Sequence, residues 1–568
     1  MLKRLLGLLI FIALVSLPAA AQDEPNPLAW IPADFAGYLR LSVNEADTLT
    51  MLNIATFAAS FLQPERITFD PLSGLEGVLP LDTLDVDDFN FGSDIFPWLA
   101  GEVILVYQEF GPGLRTGTDD LVMIFPTNDL LQSASSLSRI IQGQDVLEKE
   151  TYRDVTLYLA DKTSIAFAQQ AVLVGPTDLL KTLLDVQAGE GERLIDAPAF
   201  SQIAPTIPDD AMLSGYARGS EVARLLSFVL EGDESALPVL ADLHEALQTY
   251  QEDATFEQLL LGGQIDGVGF SLQADTLRLN EVEVTVTLYT DDQAAPVSSG
   301  TISPDVLNLL PQNAMIVQSG TQANDAAMNL LTLLPLTNFS GQIVGAFPLM
   351  DTPGGDVLDV PTADDIEQVV SGFLTTLTRE ANFDLEHDLL QHLNGSYSVA
   401  LLPRPNDPLP TLNLPYDVLI VAEVDDDTAA LAATNRLAEI LLPLNELETG
   451  RVSGLDFKII EPDPLEGPVL QFGTVDNLLV IATGDALEQA LNARRGDDRL
   501  VSRERWQAVS EDAVPQLYVD IPAFYSTFLP QFSGSQLQQI RQLSLHTEYL
   551  GDGLYQVDLK ITMPSQMG

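Results

Sequence analysis

The acidic stretch from Asp82 to Asp94, DTLDVDDFNFGSD, offers several oxygen donors that could bind a metal ion. Hard cations such as Ca²⁺ prefer carboxylate oxygens, and several of these would surround Gly92. The calcium candidates are Asp85, Asp87, Asp88 and Asp94. The stretch departs from the calcium-loop template, which has Gly at position six and Glu at position twelve. We therefore interpret it as a solvated acidic loop, with a calcium site as the alternative.

The histidines do not form a zinc pattern. They are His244, His387, His392 and His546. No two of them stand four residues apart on one helical face, and the sequence has no cysteine to complete a site. We expect structural or solvent-exposed histidines.

Patterns for nucleophilic or phosphate chemistry are also missing from the sequence. It contains no Gly-x-Ser-x-Gly elbow, no Ser-x-x-Lys and no glycine-rich phosphate loop. Paired carboxylates could cleave glycosides, but 82 acidic residues make such a pair impossible to select from the sequence. We predict that the protein is not an enzyme and has no cofactor, with a carboxylate-dependent hydrolase as the alternative.

The charge balance limits the classes of partner. The chain of 568 residues has 26 Lys and Arg against 82 Asp and Glu, a net charge of -56. Such a field repels phosphate backbones and anionic lipid surfaces, because binding to them requires clustered cations. We therefore predict no nucleic-acid partner, and interpret the charge mainly as a device for solubility.

The first 21 residues have the three parts of an export signal. Lys3 and Arg4 are followed by an apolar run from Leu5 to Leu17 and by small residues at Ala19-Ala20-Ala21. A membrane span needs about 20 apolar residues, so a removed signal peptide is preferred to a retained anchor. We predict a signal peptide at 1–21, a short tether at 22–27 and no later membrane span, in a chain without disulfides.

The remaining sequence contains an internal repeat. The segment DIFPWLAGEVILVY from Asp94 matches DLLQHLNGSYSVAL from Asp388, and two later pairs follow in the same order at a nearly constant offset. Repeated order over such a length indicates two copies of one domain. We predict a first repeat domain at 28–290, a Pro-, Gly- and Ser-containing linker at 291–303, and a second repeat domain at 304–568.

Each predicted copy opens with a strand and a helix, continues with further strands and helices, and ends in an alternating ladder. In the body of the copies, for example, Val103 to Tyr107 is predicted as a buried strand, and Thr428 to Leu441 as a helix with Asp425 to Asp427 at its start. The two ladders are Glu281 to Tyr289 and Tyr555 to Met563. Their apolar and polar residues alternate, which is typical of half-exposed antiparallel strands. We therefore predict an α+β fold of two tandem repeats, each an antiparallel-rich mixed sheet with helices packed on one face.

A few polar residues recur in both copies and would carry any shared chemistry. They are Asp94 with Asp388, Asp178 with Asp485, and Arg193 with Arg499. Asp178 and Asp485 stand at the starts of predicted helices, where a carboxylate opposes the positive end of the helix dipole. We predict turns and helix caps for the acids and structural ion pairs for the arginines. The further arginines at 494, 495, 503 and 505 are interrupted by acids, which favours a self-neutralised surface.

The chain resembles a bacterial family, the domain of unknown function numbered 3352. The resemblance rests on the opening Ile31-Pro32-Ala33-Asp34, on the Leu-x-Gly segments Leu99–Gly101 and Leu393–Gly395, and on a later apolar strand that leads into an Asp-capped helix. The resemblance implies an exported chain and no catalytic residue, since the family has no assigned activity. Gln312 and Asn313 replace the Ala-Asp pair in the second copy, which argues against a shared reactive aspartate.

These observations together predict an exported, non-catalytic binding or structural module of the cell envelope or exterior. The alternative is a secreted carboxylate-dependent hydrolase assisted by calcium. The partner would be an unknown protein or envelope component, and the compartment periplasmic, cell-surface or extracellular.

Overall fold

The fold of the chain is given by a computed structural model. The structure describes residues 26–43, 95–109, 120–143, 148–159, 163–221, 265–274, 281–291, 301–324, 326–328, 371–372, 374–379, 381–404, 416–442, 446–461, 468–496, 498–510, 513–528 and 540–562. The chain divides into two compact units. Unit 1 comprises residues 1–52, 68–228 and 267–269, and unit 2 comprises 53–67, 229–266 and 270–568.

Unit 1 is built on an antiparallel sheet. Its strands are β1 (Gly37–Ser42), β2 (Glu102–Tyr107), β3 (Leu121–Pro126), β4 (Glu148–Tyr152), β5 (Val155–Leu159), β6 (Ser164–Ala168), β7 (Ala171–Gly175) and β8 (Leu213–Arg218). They pair in the order β4-β5-β6-β7-β3-β2-β1-β8. The helices are α1 (Leu130–Gly143), α2 (Thr177–Gln187) and α3 (Pro198–Ile203).

The strand β9 (Gly267–Ala274) contributes its first three residues to unit 1 and the others to unit 2. The further strands of unit 2 are β10 (Glu281–Tyr289), β11 (Ile316–Gly320), β12 (Tyr397–Pro403), β13 (Tyr416–Glu423), β14 (Leu447–Val452), β15 (Leu455–Ile460), β16 (Leu470–Val475), β17 (Leu478–Thr483), β18 (Leu517–Asp520), β19 (Gln542–Gly551) and β20 (Leu554–Thr562). Their order is β14-β15-β16-β17-β13-β12-β11-β18-β19-β20-β10, again antiparallel throughout.

The helices of unit 2 are α4 (Pro304–Leu307), α5 (Leu385–Asp388), α6 (Asp427–Leu441), α7 (Ala486–Arg495), α8 (Glu504–Val509) and α9 (Ile521–Phe528). Helix α6 begins where the sequence predicts a cap, because the Asp426 carboxylate accepts a hydrogen bond of 2.9 Å from the Ala429 N–H. In the part of the chain that the structure describes, no helix has both the length and the apolar character required to cross a membrane.

The predicted α+β class is confirmed, but the prediction that helices cover one face of each sheet is wrong. In unit 2, Val480 lies in a core with α7 residues, whereas its neighbour Leu479 lies in a core with Ala430 of α6. Successive strand residues point to opposite faces, so the two helices pack on opposite sides.

Unit 1 shows the same two-sided burial. Leu105 and its partner Met123 share a core with Leu137 of α1. Tyr38 points to the other face, where its ring meets the Phe200 ring of α3 with centroids 6.0 Å apart. Strands buried on both sides are near-continuous apolar runs, such as VILV in β2, rather than alternating sequences.

The predicted domain boundaries at 290 and 304 stay a prediction. In the structure, β10 pairs with β20 over its full length, from Glu281 opposite Thr562 to Tyr289 opposite Leu554. Unit 2 therefore contains a strand that precedes the predicted linker in the chain.

Candidate functional site

The polar residues that recur in the two predicted copies lie mostly at helix ends. Asp178 is in the first turn of α2, and Asp485 is the residue before α7. The Asp388 carboxylate accepts a 2.9 Å hydrogen bond from the Asp384 N–H, while the Asp384 side chain accepts from the His387 N–H. Such reciprocal bonds satisfy free N–H groups in the first turn of a helix. Asp94 lies outside the described residues.

The recurring arginines lie beside the opening proline of each copy. Arg193 forms an antiparallel bridge with Pro32, and Arg499 forms one with Pro311. The Arg193 Nε is 2.6 Å from an Asp196 carboxylate oxygen, which agrees with the predicted ion pair. Arg499 instead donates a 3.0 Å hydrogen bond to the side-chain oxygen of Asn308. The backbone on either side of each arginine thus pairs with the segment that precedes the opening strand, through Leu194 N–H to the Ile31 carbonyl and Leu500 N–H to the Leu310 carbonyl.

Unit 2 has two buried carboxylates among the described residues, and the first is Asp417. It is the second residue of β13, is 3% exposed and forms an ion pair with Arg404, the residue that follows β12. Its other oxygen accepts a 3.3 Å hydrogen bond from the Asp485 N–H. Burial raises the pKa of the Asp417 carboxyl, and the positive charge of Arg404 opposes that rise.

Gly484 makes the close approach to Asp417 possible. Its φ of +55° is unfavourable for residues with a Cβ. A Cβ at this position would lie 2.2 Å from the Asp417 Oδ1, in direct collision with the carboxylate. The turn between β17 and α7 is therefore shaped around the buried ion pair.

The second buried carboxylate is Asp520, which is 1% exposed at the end of β18. Its Oδ2 lies 2.5 Å from an Arg503 nitrogen and 3.2 Å from Arg505 Nη1. Its Oδ1 accepts a 3.1 Å hydrogen bond from the Ala523 N–H in the first turn of α9. One carboxylate thus binds two guanidinium groups of α8 and its N-terminus, and caps the next helix.

Tyr518 lies beside this cluster. It is fully buried in β18, and burial raises the pKa of its hydroxyl to about 12. Its hydroxyl has no hydrogen-bond partner within the described part of the chain. Since a buried phenol stays protonated, Tyr518 adds no negative charge beside Asp520 at neutral pH.

The predicted self-neutralised arginine surface is corrected in its details. The arginines of this region bind acids and carbonyls elsewhere in unit 2. Arg494 pairs with Asp476, Arg495 donates to the Ser453 carbonyl, and Arg503 donates to the Gln312 carbonyl. These arginines therefore connect separate elements of unit 2.

No metal centre is formed by the described residues. Within these segments, no group of three or more His, Asp or Glu side chains converges on one point. His387 and His392 each lie beside one aspartate, at 3.1 Å from Asp384 and 2.9 Å from Asp425. The calcium candidates Asp85, Asp87, Asp88 and Asp94 lie outside the described residues, as does His244.

The ion pairs and hydrogen bonds of Asp417 and Asp520 are suited to stabilising the fold. General acid–base catalysis requires a group that can exchange a proton with substrate. Asp417 and Asp520 are instead buried, bound to guanidinium groups and to backbone N–H groups. Sequence analysis missed both residues, because nothing in their local sequence separates them from the other acids.

Comparison with known proteins gives a family but no activity. A family model described as "Protein of unknown function (DUF3352)" matches residues 79–558. No curated protein matches the chain. Two solved structures of TP0453 are similar: crystal form I has 10% identity and a TM-score of 0.26, covering 48% of this chain and 82% of its own. Crystal form III has 10% identity and a TM-score of 0.25, covering 51% and 88%. Similarity at this level supports no argument about function.

Proposed function

Since the chain belongs to the DUF3352 family, whose function is unknown, we propose from its structure that it is a non-catalytic binding or structural module. It acts at the cell envelope or outside the cell, and consists of two copies of one α+β unit. The main support for a non-catalytic role is that the two buried carboxylates of unit 2 are bound by the protein's own arginines and backbone N–H groups.

Asp417 and Asp520 are the buried acids among the described residues. A carboxylate that is removed from water is costly unless an opposite charge and hydrogen bonds compensate. Both residues receive such compensation, from one arginine, one backbone N–H and the Thr483 hydroxyl for Asp417 and from two arginines and one backbone N–H for Asp520. Burial still raises the pKa of Asp417 despite these contacts. The oxygens of both carboxylates therefore bind the protein's own donors instead of a substrate.

The order of the strands supports the two-copy proposal. The order β4-β5-β6-β7-β3-β2-β1-β8 of unit 1 is repeated by β14-β15-β16-β17-β13-β12-β11-β18 in unit 2. The aromatic ring of Phe200 meets Tyr216 with centroids 5.1 Å apart, and Trp506 meets Tyr518 at the same distance. Equivalent strands thus carry equivalent ring pairs.

The two proposed copies carry side chains of opposite charge at one equivalent position, where a catalytic group common to both copies would be the same residue. Two residues after the core tyrosine, the first copy has Arg218 and the second has Asp520. Arg218 donates a 2.8 Å hydrogen bond to the Asp34 carbonyl, whereas Asp520 binds Arg503 and Arg505. This reversal of charge indicates that each residue has a structural role in its own copy. It argues against a catalytic role shared by both copies at this position.

A substrate screen tests the non-catalytic role. Mature protein, with added calcium and with chelator, would be assayed against chromogenic glycosides, esters, phosphoesters and peptides. We expect no turnover above the buffer blank. Turnover that is lost in Asp417→Asn or Asp520→Asn, with the fold retained by circular dichroism, would support the hydrolase alternative instead.

The envelope location rests on residues 1–21, whose charged, apolar and small-residue parts are those of an export signal. Fusion of residues 1–27 to an alkaline phosphatase that is active only after export tests this proposal. We expect activity from the fusion, and loss of activity when Leu8, Leu9 and Ile10 are replaced by Asp. A cytoplasmic, inactive fusion would contradict the proposed location.

A further inference from the structure

The segment Leu393–Gly395 contains the one Asn-Gly dipeptide of the sequence, Asn394-Gly395. In such a pair the backbone nitrogen of the glycine can attack the side-chain amide carbon of the asparagine, because glycine has no Cβ to obstruct the approach. A bond forms between the Gly395 N and the Asn394 Cγ, and the bond from Cγ to Nδ2 breaks. The Nδ2 group takes up the proton lost by the Gly395 N and leaves as ammonia. Water then opens the cyclic imide at either carbonyl, which gives aspartate or isoaspartate.

The reacting atoms of this dipeptide are accessible. Asn394 is exposed and lies between the helical turn Leu390–His392 and β12. The Gly395 N–H donates no hydrogen bond within the described part of the chain, so the attacking nitrogen is free. The Asn394 Nδ2 donates a 2.5 Å hydrogen bond to the Gln391 carbonyl, and this bond must open before the ring can close. Both residues of the bond are exposed, so its opening leaves the core intact.

The backbone is fixed on both sides of Asn394. The Leu393 carbonyl accepts a 2.8 Å hydrogen bond from the Asn324 N–H, and the Gly395 carbonyl accepts one of 3.2 Å from the Ala323 N–H. Leu393 is 7% exposed and Ala323 5%, and both belong to one buried cluster of unit 2. In isoaspartate the chain continues through the side-chain Cγ, which adds one atom between the two carbonyls. The lengthened segment cannot keep both carbonyls opposite two consecutive N–H groups.

We propose that Asn394 is a modification site, at which isoaspartate forms and releases residues 323–324 from the Leu393–Gly395 segment. The proposal needs water as its only co-reactant. It adds to the proposed binding or structural role and does not depend on it.

The first predicted copy has the same backbone contact without the reactive amide. Ala100 takes the place of the asparagine, in the segment that matches Leu393–Gly395. The Gly101 carbonyl there accepts a 2.8 Å hydrogen bond from the Val43 N–H. An alanine is therefore compatible with this contact, which makes Asn394→Ala a suitable control variant.

Peptide mapping of the full-length protein tests the chemistry. Folded protein would be kept at mildly alkaline pH and sampled with time by proteolysis and mass spectrometry. We expect the peptide that contains Asn394 to exchange its amide for a hydroxyl, and to become a substrate for an isoaspartyl methyltransferase. Asn477 is the internal control, because it is also exposed but is followed by Leu478, whose side chain hinders the attack. Retention of the Asn394 amide, or conversion of Asn477 at the same rate, would overturn the proposal.

Two variants separate the structural consequence from the chemistry. Asn394→Ala should give no methylation at this peptide and should not lose stability on ageing. Asn394→Asp has the charge of the other product without the added backbone atom, and as an exposed substitution should change the unfolding equilibrium constant by no more than about threefold. Aged wild-type protein should unfold with a constant roughly tenfold larger than fresh protein, because two backbone hydrogen bonds are lost. Isoaspartyl protein that is as stable as fresh protein in guanidinium would contradict the release of residues 323–324.

Discussion

The indole ring of Trp506 lies edge-on against the phenol ring of Tyr518, with centroids 5.1 Å apart and planes at 66°. This contact joins α8 to β18 in the larger core of unit 2. The Phe200–Tyr216 pair joins α3 to β8 in unit 1 with the same centroid distance, at 88°. Aromatic pairs in such geometry contribute energy beyond the area that they bury.

Trp506→Ala should therefore destabilise unit 2 by about 3–5 kcal/mol, since a fully buried indole is replaced by a cavity. Guanidinium unfolding followed by far-ultraviolet circular dichroism measures the change. Leu550→Ala is the control, because Leu550 is 42% exposed and should change stability by less than about 0.5 kcal/mol. A loss below about 1 kcal/mol for Trp506→Ala would contradict this packing.

Asp520→Asn should destabilise the protein by about 3 kcal/mol, because two guanidinium groups lose their common carboxylate. The control is Asp456→Asn, which breaks an ion pair with Arg451 whose side chains are 74% and 65% exposed. Such surface pairs contribute about 0–1 kcal/mol. Equal effects of the two substitutions on the free energy of unfolding would show that the Asp520 cluster is not structural.

Alkaline pH should weaken the fold through its buried tyrosines, among them Tyr38 and Tyr518. Burial raises the pKa of Tyr38 and of Tyr518 to about 12, above their ordinary value of 10.0. Because the folded pKa is the higher one, their contribution is fully present below pH 10 and is lost as pH rises towards 12. Each should reduce the free energy of unfolding by about 2 kcal/mol at pH 12. Denaturant unfolding at pH 9, 10, 11 and 12 measures this loss.

The Tyr518→Phe variant isolates the contribution of this one tyrosine to the loss of stability at alkaline pH. At pH 8 it should not reduce stability, because the hydroxyl has no partner among the described residues and its removal leaves none unsatisfied. Between pH 10 and 12 it should abolish about half of the loss assigned to the two residues. An unchanged alkaline profile would contradict the burial of this hydroxyl.

The β10–β20 ladder makes a prediction about fragments. A fragment 265–568 contains β10 and its other neighbour β9. A fragment 304–568, which starts at the predicted domain boundary, leaves the β20 edge without its partner. An exposed edge strand is prone to association, so the shorter fragment should aggregate in size-exclusion chromatography and the longer one should not.

A peptide of residues 281–291 should rescue fragment 304–568, because it restores the nine-residue ladder. The control peptide has Pro at Val284 and Val286, since proline cannot donate a ladder hydrogen bond. Monodisperse behaviour of fragment 304–568 without peptide would show that β10 is dispensable.

The sequence predicted much of the order of elements. The helix predicted from Thr428 to Leu441 is found at Asp427–Leu441, and the strand predicted from Val103 to Tyr107 at Glu102–Tyr107. Apolar periodicity locates such elements because they pack against a core on at least one side. Strands β4 and β14 were missed, since EKETY and LETGRV are exposed edge strands with little apolar sequence.

The polar clusters could not be predicted for a different reason. Asp520 is 15 positions from Arg505, and Asp417 is 13 positions from Arg404, within a Pro-rich stretch that suggests only a loop. Burial of these acids depends on the pairing of strands that are distant in sequence, such as β11 with β18. The prediction that helices cover only one face of each sheet was wrong, and the sequence contained the signal against it. The apolar run VILV in β2 is typical of a strand that is covered on both sides.

The Asp417→Asn variant, measured in parallel with the wild-type protein for stability and turnover, tests the proposed structural role most directly. We predict a loss of about 1–3 kcal/mol in the free energy of unfolding, because the Arg404 guanidinium keeps a neutral amide in place of its carboxylate. We also predict no turnover in either protein with the substrates named above. Turnover by the wild-type protein that disappears in Asp417→Asn, while both unfold at the same guanidinium concentration, would show that this carboxylate acts in catalysis.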